Sequence, residues 1–162
     1  MWRSIAIFLA GSVLGVAAGT ALGFLLFPFV FPPPPAIDQL TAAERTDVVA
    51  KGTFIQANPN DPLHHGKGNV TVYDRTVFLE PDFEVGPGPD YHVYLVPKSK
   101  VRTAADVDGA MFVDLGKLRS FKGSQKYAIP AGVDLAKYPS VVIWCQQFGV
   151  LISPADLTFD VS

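Results

Sequence analysis

Hydrophobic residues follow two patterns along the chain, one long run and then a series of short ones. From Ile5 to Phe31 no residue is charged, and this run exceeds the roughly 20 residues that a helix needs to span a bilayer. After the proline run Pro32–Pro35, short stretches rich in β-branched and aromatic residues alternate with turn formers. The pattern predicts one N-terminal transmembrane helix followed by an all-β domain.

Short strands at this spacing are typical of an antiparallel β-sandwich or barrel, and a jelly-roll-like sandwich is the fold we expect. Ser153-Pro154 is among the predicted turns. In one strand the residues at odd and at even positions are both largely apolar, which predicts a central strand covered on both faces. The predicted strands are Lys51–Gln56, Asn69–Tyr73, Thr76–Leu79, Tyr91–Val96, Met111–Leu115, Tyr127–Ile129, Val141–Gln146 (the two-faced strand) and Val150–Ile152.

Charges at the two ends of the apolar run predict its orientation. Arg3 precedes it, and a mixed, partly acidic segment from Asp38 to Asp47 follows. Basic flanks stay in the cytoplasm, so we expect a single-pass protein with a cytoplasmic N-terminus. The C-terminal domain is then extracytoplasmic, either periplasmic or at the cell surface.

A cleaved signal peptide is the alternative to an anchor. Ala17, Ala18 and Ala21 are small enough for a signal peptidase site, but Leu22–Phe31 continues the apolar run beyond it. Signal peptides normally have apolar regions of only about 7–15 residues. We therefore favour an uncleaved anchor.

Glycines recur every fourth residue in the predicted helix, at Gly11, Gly15, Gly19 and Gly23. This spacing places them on one face, where a second transmembrane helix can approach closely. The stripe predicts a helix partner, either another copy or a foreign chain. Pro28 and the following prolines are expected to end the helix, with Pro32–Pro35 as a stiff spacer.

These features divide the chain into three parts. Residues 1–35 form the anchor and proline spacer, residues 36–50 a linker or short helix, and residues 51–162 the β domain. Thr41 with Glu44 three residues later is the pattern of a capped helix start. Val101–Asp108 is expected to be a loop or a single turn.

Net charge excludes one class of partner. The chain has 13 basic and 15 acidic residues, a formal charge of −2, with no basic run after the anchor. A nucleic-acid binder needs such a run, so no nucleic-acid partner is expected. Hydrolase chemistry is also not indicated, because the Gly-x-Ser-x-Gly pattern is absent, and the acidic residues near Gly86 and Asp106 lie in predicted turns.

Cys145 is the only cysteine, so no disulfide can form within the chain. On the oxidising side of a membrane it is buried and inert, joined to a partner, or used chemically. Its neighbours Ile143, Trp144 and Phe148 favour a core position. Redox work or ligation requires a thiolate, which nearby cations, a metal or a helix N-terminus would favour.

Three histidines complete the candidate chemistry. His64 and His65 lie at a loop-to-strand junction, where adjacent rings diverge; one is a candidate ligand, or the pair simply forms a turn. His92 shares strand parity with Tyr94 and is expected to be a hydrogen-bonded sheet histidine.

A single cysteine excludes several cofactor sites. Covalent c-type haem needs two cysteines, as does an internal redox couple, and a multi-thiolate zinc site is impossible. What remains is non-covalent haem held by His or Cys, copper held by Cys145 with His64 and His65, or a lone thiol cycling through sulfenic acid or a mixed disulfide. The absence of any cofactor is an equal alternative.

Several ordered motifs resemble the DM-thirteen family of electron-transfer domains, over about Gly52–Leu157. They are His-His-Gly-Lys-Gly-Asn-Val-Thr-Val-Tyr at 64–73, Gly-Pro-Asp-Tyr-His-Val-Tyr-Leu at 88–95, Leu-Gly-Lys-Leu at 115–118, Gly-Ser-Gln-Lys-Tyr-Ala-Ile-Pro at 123–130, and Tyr-Pro-Ser-Val-Val-Ile-Trp-Cys at 138–145 with Phe148. The resemblance implies electron transfer, with Cys145 matching the family's characteristic cysteine and His64 and His65 matching its histidine pair.

Two hypotheses follow. The first is an electron-transfer or redox-accessory domain, rather than a stand-alone enzyme, with Cys145 as the key residue and an unknown redox partner. The second is a non-enzymatic extracytoplasmic binding module in which Cys145 only packs the core.

Overall fold

The N-terminal apolar run forms a single long helix. The structure is a computed structural model that describes residues 2–45 and 47–159. Helix α1, Trp2–Val30, has 29 residues, about 43 Å at 1.5 Å per residue. Its mean hydropathy is 2.1, and within the described residues it is the one helix long and apolar enough to cross a membrane.

Residue 1, residue 46 and residues 160–162 lie outside the described residues. They belong to the predicted anchor, linker and β domain, respectively.

The helix end differs from the prediction at Pro28. Pro28 lies inside α1, and Phe31 N still donates to Phe27 O at 2.8 Å. A proline removes only its own N–H bond to the carbonyl four residues earlier, and in the last turn the helix continues past that loss. The helix ends where Pro32 disfavours helical backbone at the residue before it.

The glycine stripe of α1 faces open space. In the described chain, a Cβ at Gly11, Gly15, Gly19 or Gly23 would meet nothing within 4 Å. The predicted helix partner therefore has room to approach and stays a prediction.

The segment after the prolines is attached to the domain, and its described residues, 36–45 and 47–50, contain no helix. Strand β1, Ala36–Ile37, pairs in parallel with a later strand, β9. Thr41 and Glu44 make the predicted reciprocal capping bonds, but only one turn forms. The next strand, β2, begins directly afterwards at β-branched Val48 and Val49.

The β domain consists of one large sheet and a small ribbon. Nine strands are joined in the order β1-β9-β5-β4-β2-β11-β10-β7-β8, and every pair except β1–β9 is antiparallel. The ribbon joins β3 to β6. The bounds are β2 Val48–Phe54, β3 Gly66–Lys67, β4 Asn69–Tyr73, β5 Thr76–Leu79, β6 Glu84–Val85, β7 Tyr91–Val96, β8 Val113–Lys117, β9 Gly123–Ala128, β10 Ser140–Cys145 and β11 Val150–Phe159.

The all-β prediction is confirmed, whereas the two-layer sandwich is not. The sheet curls, so that Leu118, directly after β8, and Tyr127 on β9 pack in the same apolar cluster. A sheet that curls in this way encloses its core without a second sheet. The predicted loop or turn near Val101 is a 3₁₀ turn at Ala104–Asp106.

Strand β10 is an interior strand of the sheet and is covered on both faces, as predicted. All six of its residues are buried. Val141, Ile143 and Cys145 pack in the cluster enclosed by the curl, which we call the inner cluster. Val142 and Trp144 pack on the opposite face with Tyr94 and Leu151, in the outer cluster.

The predicted turn at Ser153-Pro154 is wrong, because β11 runs straight through it. Ile55 N donates to Pro154 O at 3.0 Å, so the Pro154 nitrogen also faces the side of β2. Proline has no N–H, so it cannot donate the second hydrogen bond of this pair, to Ile55 O. The Ser153 hydroxyl donates to that carbonyl instead, at 2.8 Å, and the strand continues.

Candidate functional site

Cys145 lies at the last position of the interior strand β10. It is the free cysteine of the described chain, and only 2% of it is exposed. Its register partners are Tyr91 on β7 and Val150 on β11. The thiol is therefore held between two neighbouring strands, at the end of the sheet and on its inner face.

Of the two register partners of Cys145, Tyr91 is the one that carries a polar side-chain group. Directly opposite residues of an antiparallel pair share a face, and Tyr91 packs with Cys145 in the inner cluster. Its hydroxyl donates to Pro87 O at 3.3 Å. Burial raises the pKa of Tyr91, and the nearby Cys145 and Asp61 contribute in the same direction, so the phenol stays protonated.

The loop 86–90 closes this end of the sheet over Tyr91. A Cβ on Gly88 would lie 2.2 Å from both the Cζ and the Oη atom of Tyr91. Only glycine lets the backbone approach the ring this closely. The segment is also the predicted rigid corner, since β7 begins immediately after it.

His65 contacts the same loop from its other side. A Cβ on Gly86 would lie 2.9 Å from His65 Cε1 and 2.8 Å from Leu63 O, and Gly86 N donates to His65 O at 3.1 Å. His65 itself is exposed. A continuous set of contacts thus leads from His65 through the loop to Tyr91 and Cys145.

His64 points elsewhere. Its Nδ1 lies 2.6 Å from Asp61 Oδ2, and this hydrogen bond lowers the pKa of Asp61. His64 lines a cavity with Arg102, Val150 and Leu151; Leu151 belongs to the outer cluster, and Val150 packs against the inner one. The two adjacent histidines therefore diverge, as expected, and only His65 approaches the loop over Tyr91.

The predicted copper ligands do not converge in this arrangement. Across residues 2–45 and 47–159, no three or more His, Cys, Asp or Glu side chains are grouped so that they could hold a metal. His64 already bonds to Asp61, while Cys145 lies on the inner face. Cys145, His64 and His65, as they are placed here, do not form a copper site.

His92 is a hydrogen-bonded sheet histidine, as predicted. Its Nδ1 lies 3.0 Å from Asp114 Oδ2, and its Nε2 is 3.8 Å from Asp90 Oδ1. Gln146, the residue after Cys145, donates to Asp114 Oδ2 at 2.9 Å and to the Tyr94 hydroxyl at 2.7 Å. This polar network fixes the start of β7 to the end of β10 on the outer face.

The acidic residues near the two predicted turns have structural partners. Asp82 accepts hydrogen bonds from Asn69 N and Nδ2. Glu84 pairs with Lys122 and Lys67, which lower its pKa. Hydrogen bonding from Lys98 leads the causes that lower the pKa of Asp106. Carboxylates held in the charged form by such partners are poor proton donors in acid–base catalysis.

Sequence reasoning missed Tyr91, Gly86 and Gly88 as parts of the site. Tyr91 belongs there only through its pairing with Cys145, 54 positions later in the chain. The signal that could have found it was the position of the Gly-Pro-Gly-Pro-Asp corner immediately before its strand.

Fold and site together define an all-β domain with one buried thiol, preceded by an apolar helix. A protein-family model described as Electron transfer DM13 matches residues 59–157, more than half of the chain. The chain therefore belongs to the DM13 family, the DM-thirteen family that its motifs resemble. The match begins seven residues after the expected Gly52 and ends at the expected Leu157. Comparison with curated proteins and with solved structures gives no match.

Proposed function

We propose that this protein is a membrane-anchored redox domain whose redox group is Cys145. Membership of an electron-transfer family supports a redox role, and α1 supports single-pass anchoring. Arg3 before the helix favours a cytoplasmic N-terminus and an extracytoplasmic domain. In this proposal the curled sheet acts as a sandwich-like shell that holds the thiol in a fixed position.

One observation carries the proposal: the chain's single thiol lies at the end of the sheet, beneath a glycine loop rather than deep in the middle of the core. Tyr91 and the loop 86–90 cover it from that end. With no second cysteine, its chemistry involves an outside group, through a sulfenic acid, a mixed disulfide or ligation of a cofactor. His65, in contact with the loop, is the better-placed helper, and His64 is a candidate only if its bond to Asp61 opens.

The test is an absorption spectrum of the full-length protein in detergent, oxidised and dithionite-reduced, with metal analysis on the same sample. Cells expressing it receive haem precursor and copper. A band that disappears in Cys145→Ser would establish ligation of haem or copper. A colourless, metal-free protein would leave thiol chemistry, and failure of the folded thiol to react with oxidants would contradict the proposal.

A binding module with Cys145 as a core residue is the second candidate. It is favoured by the 2% exposure of Cys145 and by its place in the inner cluster. Under this alternative Cys145→Ser changes only stability, by about 1–2 kcal/mol. Redox behaviour in the folded state distinguishes the two candidates.

A further inference from the structure

The chain enters the domain at the end of the sheet where Cys145 lies. Strand β10 ends there, and the antiparallel pairs that lead across the sheet place the start of β9 at the same end. Strand β1 runs parallel to β9, with Ala36 opposite Gly123. The proline spacer therefore leaves the domain from the Cys145 end.

The spacer is too short to hold that end far from the helix. Ser120 Oγ donates to Pro34 O at 2.8 Å, and Ala36 N donates to Lys122 O at 2.9 Å. Only the steps from Val30 to Pro34 are unattached, about 12 Å at 3.1 Å per extended residue. The Cys145 end thus lies close to the end of α1.

An uncharged turn that carries one exposed phenylalanine lies at this end. Residues 146–149 connect β10 to β11, and Phe148 on that turn is 54% exposed. Phe148 and Pro89 line one cavity together with Phe24 and Phe27 of α1. The turn therefore lies beside the last third of the helix.

The length of α1 places this meeting point at the membrane surface. The helix has 29 residues, about 43 Å, whereas the hydrocarbon core is about 30 Å thick. Its last turns, with Phe24, Phe27 and Phe29, extend toward the boundary between acyl chains and headgroups, where phenylalanine side chains can be buried.

We propose that the turn 146–149, with Phe148 at its tip, contacts the outer surface of the bilayer that holds α1. The end of the sheet that carries Cys145 then faces the lipid interface, and the partner of the thiol approaches from the membrane rather than from bulk solvent. The inference rests on the membrane anchor of the proposed function.

The test uses the full-length protein in phosphatidylcholine vesicles with a nitroxide label at one introduced cysteine. Phe148→Cys probes the turn, and Asp74→Cys, exposed in the β4–β5 turn at the opposite end of the sheet, is the matched control. Val16→Cys reports on insertion of α1. Each is made in both Cys145→Ser and Cys145→Ala, so that a folding defect in one background does not decide the result.

We expect the label at 148 to collide several-fold more with oxygen, which concentrates in lipid, than with a water-soluble nickel chelate, relative to the label at 74. Equal behaviour at 148 and 74, with residue 16 in lipid, would overturn the inference alone. Protection of residue 148 from both reagents would indicate a protein contact and also overturn it. A water-exposed label at 16 would contradict the anchor itself.

Discussion

Tyr91 and Cys145 lie directly opposite each other on β7 and β10, and the phenol ring packs against Gly88 of the loop 86–90. The hydroxyl bonds to Pro87 O at 3.3 Å, so the ring is held at both ends. Access to the thiol therefore depends on how firmly this loop holds Tyr91.

The first prediction concerns Gly88, whose backbone packs against the Tyr91 ring. Gly88→Ala places a methyl group 2.2 Å from Tyr91 Cζ, which forces the ring to move and costs about 1–3 kcal/mol of unfolding free energy. The displaced ring uncovers Cys145, so its alkylation by a small maleimide should accelerate. Chemical denaturation and labelling rates measure the two effects.

Gly109→Ala is the control for added backbone strain. The φ angle of Gly109 is +76°, and a Cβ there meets nothing within 4 Å. The substitution should therefore cost only backbone strain, about 1–2 kcal/mol of unfolding free energy. The labelling rate of Cys145 should stay unchanged. Equal labelling rates in the two variants would contradict the role assigned to Tyr91.

A second prediction separates the two histidines. His65→Ala removes the ring that packs against Gly86, which loosens the loop and should raise the rate of Cys145 alkylation several-fold. His64→Ala removes a bond to Asp61 but keeps the ring of His65 beside Gly86, and it should leave that rate nearly unchanged. Faster alkylation of Cys145 in His64→Ala than in His65→Ala would show that His64, not His65, supports the site.

A third prediction tests how β11 tolerates its proline. Ser153→Ala removes the donor to Ile55 O and should cost about 1 kcal/mol of unfolding free energy. In a Pro154→Ala background the new backbone N–H can donate to the same carbonyl, so the cost should fall. A double-mutant cycle measures this coupling. If the two changes in unfolding free energy are strictly additive, the Ser153 hydroxyl does not take the place of the missing backbone N–H.

A fourth prediction concerns pH and the segment after the prolines. The hydrogen bond from Lys126 leads the causes that lower the pKa of Glu44 from 4.5 to about 2. A lowered pKa means that the ionised form is favoured in the folded state, so its contribution is complete above the unfolded value and is lost as pH falls toward 2.

Unfolding measured between pH 2 and 6 should therefore show a loss of stability below about pH 4.5 that is smaller in Glu44→Gln. Asp134→Asn is the control, because its partner Lys137 lies three residues away and outside this segment. An unchanged pH profile in Glu44→Gln would mean that the Glu44–Lys126 pair does not stabilise the docked segment.

Local patterns predicted the strands that are bounded by turn formers. The bounds of β4, β5 and β7 agree residue for residue with the sequence prediction, because each is a β-branched or aromatic run between clear breaks. Strand β9 begins earlier than expected, at Gly123. Its early part was missed because Ser124 and Gln125 are buried polar residues without the β-branched or aromatic side chains typical of strands.

Features that depend on distant pairing could not be predicted. Strand β1 has two residues and exists only through β9, and β11 continues past Pro154 only because of Ser153. For the site, both faces of β10 were predictable from parity. The neighbour of the thiol was not, because register across the sheet decides it.

The most direct test of the central claim is the redox response of Cys145 in the folded, full-length protein. The protein is equilibrated in buffers of stepped reduced-to-oxidised glutathione ratio, quenched, and the modification of Cys145 is quantified by intact mass. A redox-active thiol forms a mixed disulfide with one glutathione, releasing the other, and the modified fraction follows the ratio while the fold persists. A Cys145 that stays unmodified until denaturant unfolds the domain would contradict the account and leave it as a core residue of a binding module.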